Sequence, residues 1–126
     1  MATIEITKDN LEQTINDNEI VLLDFWAAWC GPCRHFGPIF EAASEKYPNI
    51  VFGKVDTEAE REIAAGFEIM SIPTLMAFRD NVIVFSQPGA LPSEALEELV
   101  QAVEGLDMDE VHAEIAKQQA DAAEQQ

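Results

Sequence analysis

Apolar positions cluster along the chain in short runs separated by stretches of helical spacing. Val21 to Ala27 and Leu75 to Phe78 are compact apolar runs of the kind a sheet buries on both faces. Ile50 to Val55 is a weaker third run and Val82 to Phe85 a fourth, and Ile4 to Ile6 adds a short edge strand. Between the runs, apolar residues recur at helical spacing over Asn10 to Asn16, Cys33 to about Tyr47, Ala59 to Ala65 and Ser93 to Val103. Strands and helices therefore interleave, which predicts an α/β fold with a central sheet and helices on both faces. Only Arg79, Asp80 and Asn81 separate the run Leu75 to Phe78 from the run Val82 to Phe85, too few residues for a helical crossover. That pair is predicted to be an antiparallel hairpin, with Asn81 able to take the left-handed region, and the sheet to be mixed.

Proline and glycine punctuate this pattern. Pro38 follows Gly37 inside the long helical stretch and removes a backbone donor, so a kink is expected there. Pro92 stands where the last core helix should open, at a position where a missing donor costs nothing. Gly105 reads as a helix stop, which divides the chain into a domain over residues 1–105 and a tail over residues 106–126. In the tail, six acids (Asp107, Asp109, Glu110, Glu114, Asp121 and Glu124) face one lysine, Lys117. Asp107 with Glu110 resembles a capping box, and Met108, Val111 and Ile115 form a narrow apolar stripe. The tail is thus expected to be an acidic helix that packs lightly on the body and frays toward Gln126.

Composition narrows the function. The chain has 126 residues, enough for one core, and its 48 % apolar and 25 % charged content is that of a globular protein. Seven Lys and Arg against 24 Asp and Glu leave a net charge of −17, which repels nucleic acid and acidic lipid at long range. No apolar stretch approaches the roughly 18 residues of a membrane span, and the first residues carry no leader-like pattern, so a cytoplasmic location is expected.

The two cysteines, Cys30 and Cys33, are too close in sequence for their bridge to remove much unfolded-chain entropy, so chemistry is the better reason for the pair. The strand over Val21 to Ala27 runs into Ala28-Trp29-Cys30-Gly31-Pro32-Cys33-Arg34, and a helical pattern follows at once. The cysteines therefore lie at a helix N-terminus, where unpaired N–H groups and the helix dipole favour a thiolate. At an ordinary thiol pKa only about 3 % of Cys30 would be ionised at pH 7, so the shift arms it as a nucleophile. Spacing i to i+3 places Cys33 beneath it, able to resolve a mixed disulfide. Gly31 admits a substrate backbone and Pro32 restricts the turn. A zinc site would need two further ligands, and only His35 and His112 are available besides carboxylates. Asp24 shares a strand face with Leu22 and Trp26, so its carboxylate lies among apolar neighbours and its pKa should rise, unless it reaches solvent at a sheet edge.

Asp24-Phe25-Trp26-Ala27-Ala28-Trp29-Cys30-Gly31-Pro32-Cys33-Arg34 resembles the active-site segment of the thioredoxin family, and Lys54-Val55-Asp56, Ser71-Ile72-Pro73-Thr74-Leu75 and Gly89-Ala90-Leu91 resemble its later landmarks. The resemblance covers about residues 2 to 104 and implies a thioredoxin fold and a protein-disulfide reductase. It implies that Cys30 is the nucleophile and Cys33 the resolving thiol, with Asp24 moving the proton of Cys33 and Lys54 tuning Asp24. It further implies a cis bond before Pro73, although base rates alone favour trans, and a client-binding rim of Trp29, Gly31, Pro32, Ile72, Pro73 and Gly89. By the same resemblance the protein holds no bound cofactor or metal beyond its exchangeable disulfide. Electrons would come from NADPH through a flavin-containing thioredoxin reductase, and the partners would be that enzyme and disulfide-containing clients, with the chain a monomer. Two other readings are weaker: a scaffold that holds a partner through its acidic tail, and an exported oxidant or isomerase, which lacks a histidine between the cysteines.

Overall fold

Alternation along one central strand divides the core in two. In the computed structural model, which describes residues 2–125, strand β2 (Ile20–Trp26) is buried from Ile20 to Phe25. Ile20 and Leu22 face one cluster with Phe36, Phe40, Leu96 and Val100, while Val21, Leu23 and Phe25 face a second with Ile15 and Ile63. The first cluster is closed by helices α2 (Gly31–Lys46) and α4 (Ser93–Glu104), the second by α1 (Leu11–Asp17) and α3 (Arg61–Gly66). The remaining strands are β1 (Thr3–Glu5), β3 (Val51–Asp56), β4 (Thr74–Arg79) and β5 (Val82–Pro88). They lie in the order β1-β3-β2-β4-β5, parallel across β1, β3 and β2 and antiparallel across β2, β4 and β5. The sheet is mixed and covered on both faces, as the interleaved pattern requires.

Several boundaries move for local reasons. Helix α2 opens at Gly31 rather than Cys33, because Cys30 caps it and Pro32 fits its first turn. It runs on to Lys46 with Pro38 inside it. Helix α4 starts at Ser93, where its apolar spacing begins, and Pro92 is its N-cap, with φ −63° and ψ 158°, rather than its first helical residue. The β4–β5 turn places both Asp80 (φ 51°) and Asn81 (φ 66°) in the left-handed region. Two such residues between the paired Arg79 and Val82 make the mirror-image turn whose twist suits a hairpin, and Asx side chains tolerate it.

Gly53, in the centre of β3, lies in close contact with buried side chains. A Cβ there would meet Ile6 Cγ1 at 2.5 Å, Ile6 Cδ1 at 2.9 Å and Leu23 Cδ2 at 3.0 Å. Both neighbours are fully buried and have no free direction in which to retreat. Gly53→Ala is expected to destabilise the fold by about 1–3 kcal/mol. Urea unfolding would read this as a lower midpoint at an unchanged slope.

The tail forms helix α5 (Met108–Glu124). Asp107 caps it, its Oδ1 accepting from the backbone N–H of Asp109 (3.1 Å) and Glu110 (3.2 Å), which is the first half of the expected capping box. Met108, Val111 and Ile115 are half-buried and everything from Ala116 to Gln125 is exposed. The start of the tail is fixed by Arg79, whose Nη1 donates to the carbonyls of Val103 (2.6 Å), Glu104 (3.1 Å) and Leu106 (3.4 Å). These bonds satisfy carbonyls that the end of α4 would otherwise leave open. The same guanidinium pairs with Glu19 at 3.2 Å. The fraying expected at Gln126 lies outside the described residues.

Candidate active site

The dithiol stands where β2 hands over to α2. Cys30 is the N-cap, with extended backbone at φ −87° and ψ 114°, and its Sγ accepts the backbone N–H of Cys33 at 3.2 Å. A sulfur in that position receives an otherwise unpaired helix donor together with the positive end of the dipole. Cys33 lies one turn further on, and the two form a disulfide with their Cα atoms 5.2 Å apart, within the usual range. Ala27, Trp26 and Ile72 pack around the pair. Each cysteine is only 4 % exposed, so burial does not distinguish them; their places in the helix do. Gly31 and Pro32, beside them, are exposed.

Asp24 is fully buried, and neither carboxylate oxygen has a hydrogen-bond partner. A sheet-edge position is ruled out, since Asp24 pairs with Lys54 on one side and Leu75 on the other. Parity with Leu22 points its side chain at the face that α2 covers, the helix that carries Cys33. Loss of hydration pushes its pKa from 3.8 up to about 7, with the positive charge of Lys54 opposing the rise. Lys54 itself does not fully neutralise the acid; its Nζ sits 5.0 Å from the centroid of the Trp26 ring. Trp26, Cys33, Gly37, Pro38 and Lys54 line one hollow, which opens a route from solvent toward the second sulfur.

Across from the dithiol, the Ile72–Pro73 peptide bond is cis, as the resemblance implied against base rates. Cys30 Sγ lies 3.7 Å from the Ile72 carbonyl oxygen, and among the described residues the Ile72 peptide groups find no backbone hydrogen bond. Gly89 takes φ +109°, open to glycine and strained for other residues, and its N–H donates to the Pro73 carbonyl at 2.7 Å. Ile72 is half-buried, Pro73 buried and Gly89 exposed. Trp29 is 67 % exposed beside Cys30. Cys30, Cys33, Asp24, Lys54, Trp29, Ile72, Pro73 and Gly89 therefore gather toward one end of the sheet.

Two contributors escape the sequence. Glu58 Oε1 accepts the Trp29 indole N–H at 2.7 Å and so fixes an aromatic ring that would otherwise turn freely in solvent. Arg34 Nη1 donates to the Ala28 carbonyl at 2.9 Å and ties the first turn of α2 to the loop before it. Both join segments that only the fold brings together, and no local pattern marks either. Among the described residues no cluster of three or more His, Cys, Asp or Glu is placed to hold a metal ion.

Comparison with known proteins bears on the same region. The family model described as Thioredoxin matches residues 2–102. A Streptomyces coelicolor protein named "Putative thioredoxin 2" is 58 % identical over 121 residues, spanning 96 % of this chain and 90 % of its own. The thioredoxin of Coprinus comatus is 44 % identical over 103 residues, spanning 80 % of this chain and 96 % of its own. Among solved structures, a mutant thioredoxin from Halobacterium salinarum NRC-1 superposes with a TM-score of 0.76 at 28 % identity, covering 83 % of this chain and 92 % of that one. Plasmodium falciparum thioredoxin gives 0.73 at 33 % identity, covering 79 % and 97 %. With its paired sulfurs at a helix start, and with sequence and fold agreeing over the same hundred or so residues, the chain belongs to the thioredoxin family of protein-disulfide oxidoreductases.

Proposed function

We propose that this protein reduces client disulfides by a two-step exchange in which Cys30 attacks and Cys33 resolves. As a member of its family it works by dithiol–disulfide exchange, with its own cysteine pair as the redox group and no bound cofactor. In the first step the Cys30 thiolate forms a bond to one client sulfur and the other client sulfur leaves as a thiolate that takes up a proton. In the second, Cys33 gives its proton to Asp24 and attacks Cys30 Sγ, breaking the bond from Cys30 to the client, whose sulfur leaves as a thiolate and takes up a proton, and leaving the Cys30–Cys33 disulfide. Lys54 sets how readily Asp24 accepts that proton, through the charge it places near the carboxylate. Trp29, Gly31, Pro32, Ile72, Pro73 and Gly89 form the client face, with the free Ile72 peptide groups available to an extended client segment.

Family members generally work with thioredoxin reductase and disulfide-bearing clients. Recycling here by a flavin-containing reductase drawing on NADPH, action as a monomer and a cytoplasmic setting belong to this reading. Among the described residues no helix is long and apolar enough to cross a membrane. So does the division into a redox domain over residues 1–105 and a tail over 106–126, supported by the family match ending at residue 102 and by the new helix after Gly105.

The observation that carries the proposal is the Cys33 N–H aimed at Cys30 Sγ, because a donor fixed there favours the ionised sulfur. Iodoacetamide alkylation of the reduced protein across pH tests it. Cys30 is expected to be alkylated first, with a midpoint at least about one unit below the ordinary thiol value of about 8.5. Alkylation that follows an ordinary thiol curve, or that modifies Cys33 first, would defeat the reading.

A further inference from the structure

The loop between α3 and β4 presents one large apolar side chain almost entirely to water. Met70 is 92 % exposed, more than any other large hydrophobic residue of the described chain. This exposure is built into the loop and does not come from a loose segment. On one side, the Phe67 ring stacks edge-on between Phe25 and Phe78, with centroids 5.9 Å away from each, and Ile69 N–H donates to the Ala64 carbonyl at 2.9 Å. On the other, Thr74 Oγ1 donates to the Ser71 carbonyl at 2.5 Å. Glu68, at φ 56°, turns the chain outward between these anchors.

The position of that side chain matters as much as its exposure. Met70 stands two residues before Ile72, whose carbonyl faces Cys30 Sγ at 3.7 Å. It also lines a shallow hollow with Ile69, Ser71, Thr74 and Pro88, and the last two flank Pro73 and Gly89 in the chain. Its flexible thioether can follow varied client surfaces, as methionine does on promiscuous binding faces. Of the other methionines, Met76 is buried within β4 and Met108 is half-buried at the start of α5.

We propose that Met70 is an oxidation-sensitive contact of the client face, converted by peroxides to a sulfoxide that weakens client binding. The inference rests on the reading of Trp29, Ile72 and Pro73 as that face. Hydrogen peroxide is the oxidant: its O–O bond breaks, one oxygen bonds to the thioether sulfur, and the other leaves as water after protons shift between the two oxygens. The sulfur is oxidised by two electrons and the peroxide reduced by two. A flexible apolar contact becomes a polar one that a client must desolvate. The conditions that generate disulfide clients would thereby lower this protein's grip on them, through a change separate from oxidation of the dithiol itself.

The test uses the full chain in its disulfide form, so that the cysteines are protected during treatment with hydrogen peroxide. After the peroxide is removed, peptide mass mapping locates the added oxygen, and insulin reduction with dithiothreitol gives KM and kcat. Met70 is expected to oxidise at least about tenfold faster than Met76, following exposure. The KM of treated protein should rise about three- to tenfold relative to untreated protein, with kcat little changed. The same ratio for Met70→Leu should stay near one whatever its starting KM. Equal oxidation of Met70 and Met76, an unmoved KM after Met70 is oxidised, or an equal rise in Met70→Leu would each overturn the inference. Trp29→Ala separates it from the reading beneath it. If Trp29→Ala leaves KM unchanged, the client face is misplaced; if that variant raises KM while Met70 oxidation does not, only the role of Met70 fails.

Discussion

Cys33→Ser is expected to stop exchange at the mixed disulfide, with the client held covalently on Cys30. The first attack needs only the Cys30 sulfur and the donors around it, and the Cys33 backbone N–H that points at that sulfur survives the substitution. The second attack loses its nucleophile. An external thiol at millimolar concentration must then do what a sulfur fixed one helical turn away did, and fixed groups reach effective molarities of roughly 10⁵ M and above. Turnover of insulin disulfides should fall by at least about 10³-fold. Mass spectrometry of the quenched reaction should show a one-to-one adduct that excess dithiothreitol releases. Cys30→Ser should form no such adduct. A Cys33→Ser protein that turns over at the wild-type rate would show that the resolving thiol lies elsewhere.

Asp24→Asn is expected to make the protein more stable above pH 7 and less active. The carboxyl has no partner and no water-facing edge, so its charged form is disfavoured in the fold and its pKa rises from 3.8 to about 7. Between those two values the folded chain holds a proton that the unfolded chain has released, so folding grows weaker as pH rises. The stabilising contribution is complete below about pH 4 and gone above pH 7, a span worth up to about 4 kcal/mol at 1.36 kcal/mol per unit. An amide does not ionise, but its own unsatisfied polar atoms cost about 1–3 kcal/mol. The net gain at pH 8.5 should then be about 1–3 kcal/mol, shrinking or reversing at pH 5.5. Thermal unfolding of both proteins at the two pH values checks the sign, and a difference independent of pH would remove Asp24 as its source. In the exchange reaction the variant should lose about tenfold or more in the resolving step, together with the inflection near pH 7.

How much of this was legible in the sequence differs from residue to residue. The apolar run at Val21 to Ala27 located the central strand because burial on both faces leaves a continuous signature. The three-residue gap between the later runs was enough to give the antiparallel hairpin and the mixed sheet. The helix start was displaced by two residues because capping by Cys30 and the fit of Pro32 override a periodicity that sets in only later. Within the site, the cysteine pair and Asp24 could be read from local pattern. The cis bond at Pro73 could not, since base rates favour trans; the family resemblance alone supplied it. Glu58 and Arg34 were invisible for a different reason. Their partners, Trp29 and the Ala28 carbonyl, are chosen by how loops meet in space, and a single glutamate or arginine on the surface carries no sign of it.

The Arg79 clamp gives the molecule a polarity. Thr74 begins β4 beside the cis proline, whereas Arg79 ends it about 17 Å away at strand spacing, where its guanidinium holds the exit of α4. The acidic helix thus departs from the pole opposite the dithiol and reaches up to about 25 Å in length. A tether placed where that handle begins sits at the end of β4 away from the sulfurs, so immobilising the protein there should orient the reactive end outward, ready for macromolecules arriving from solution.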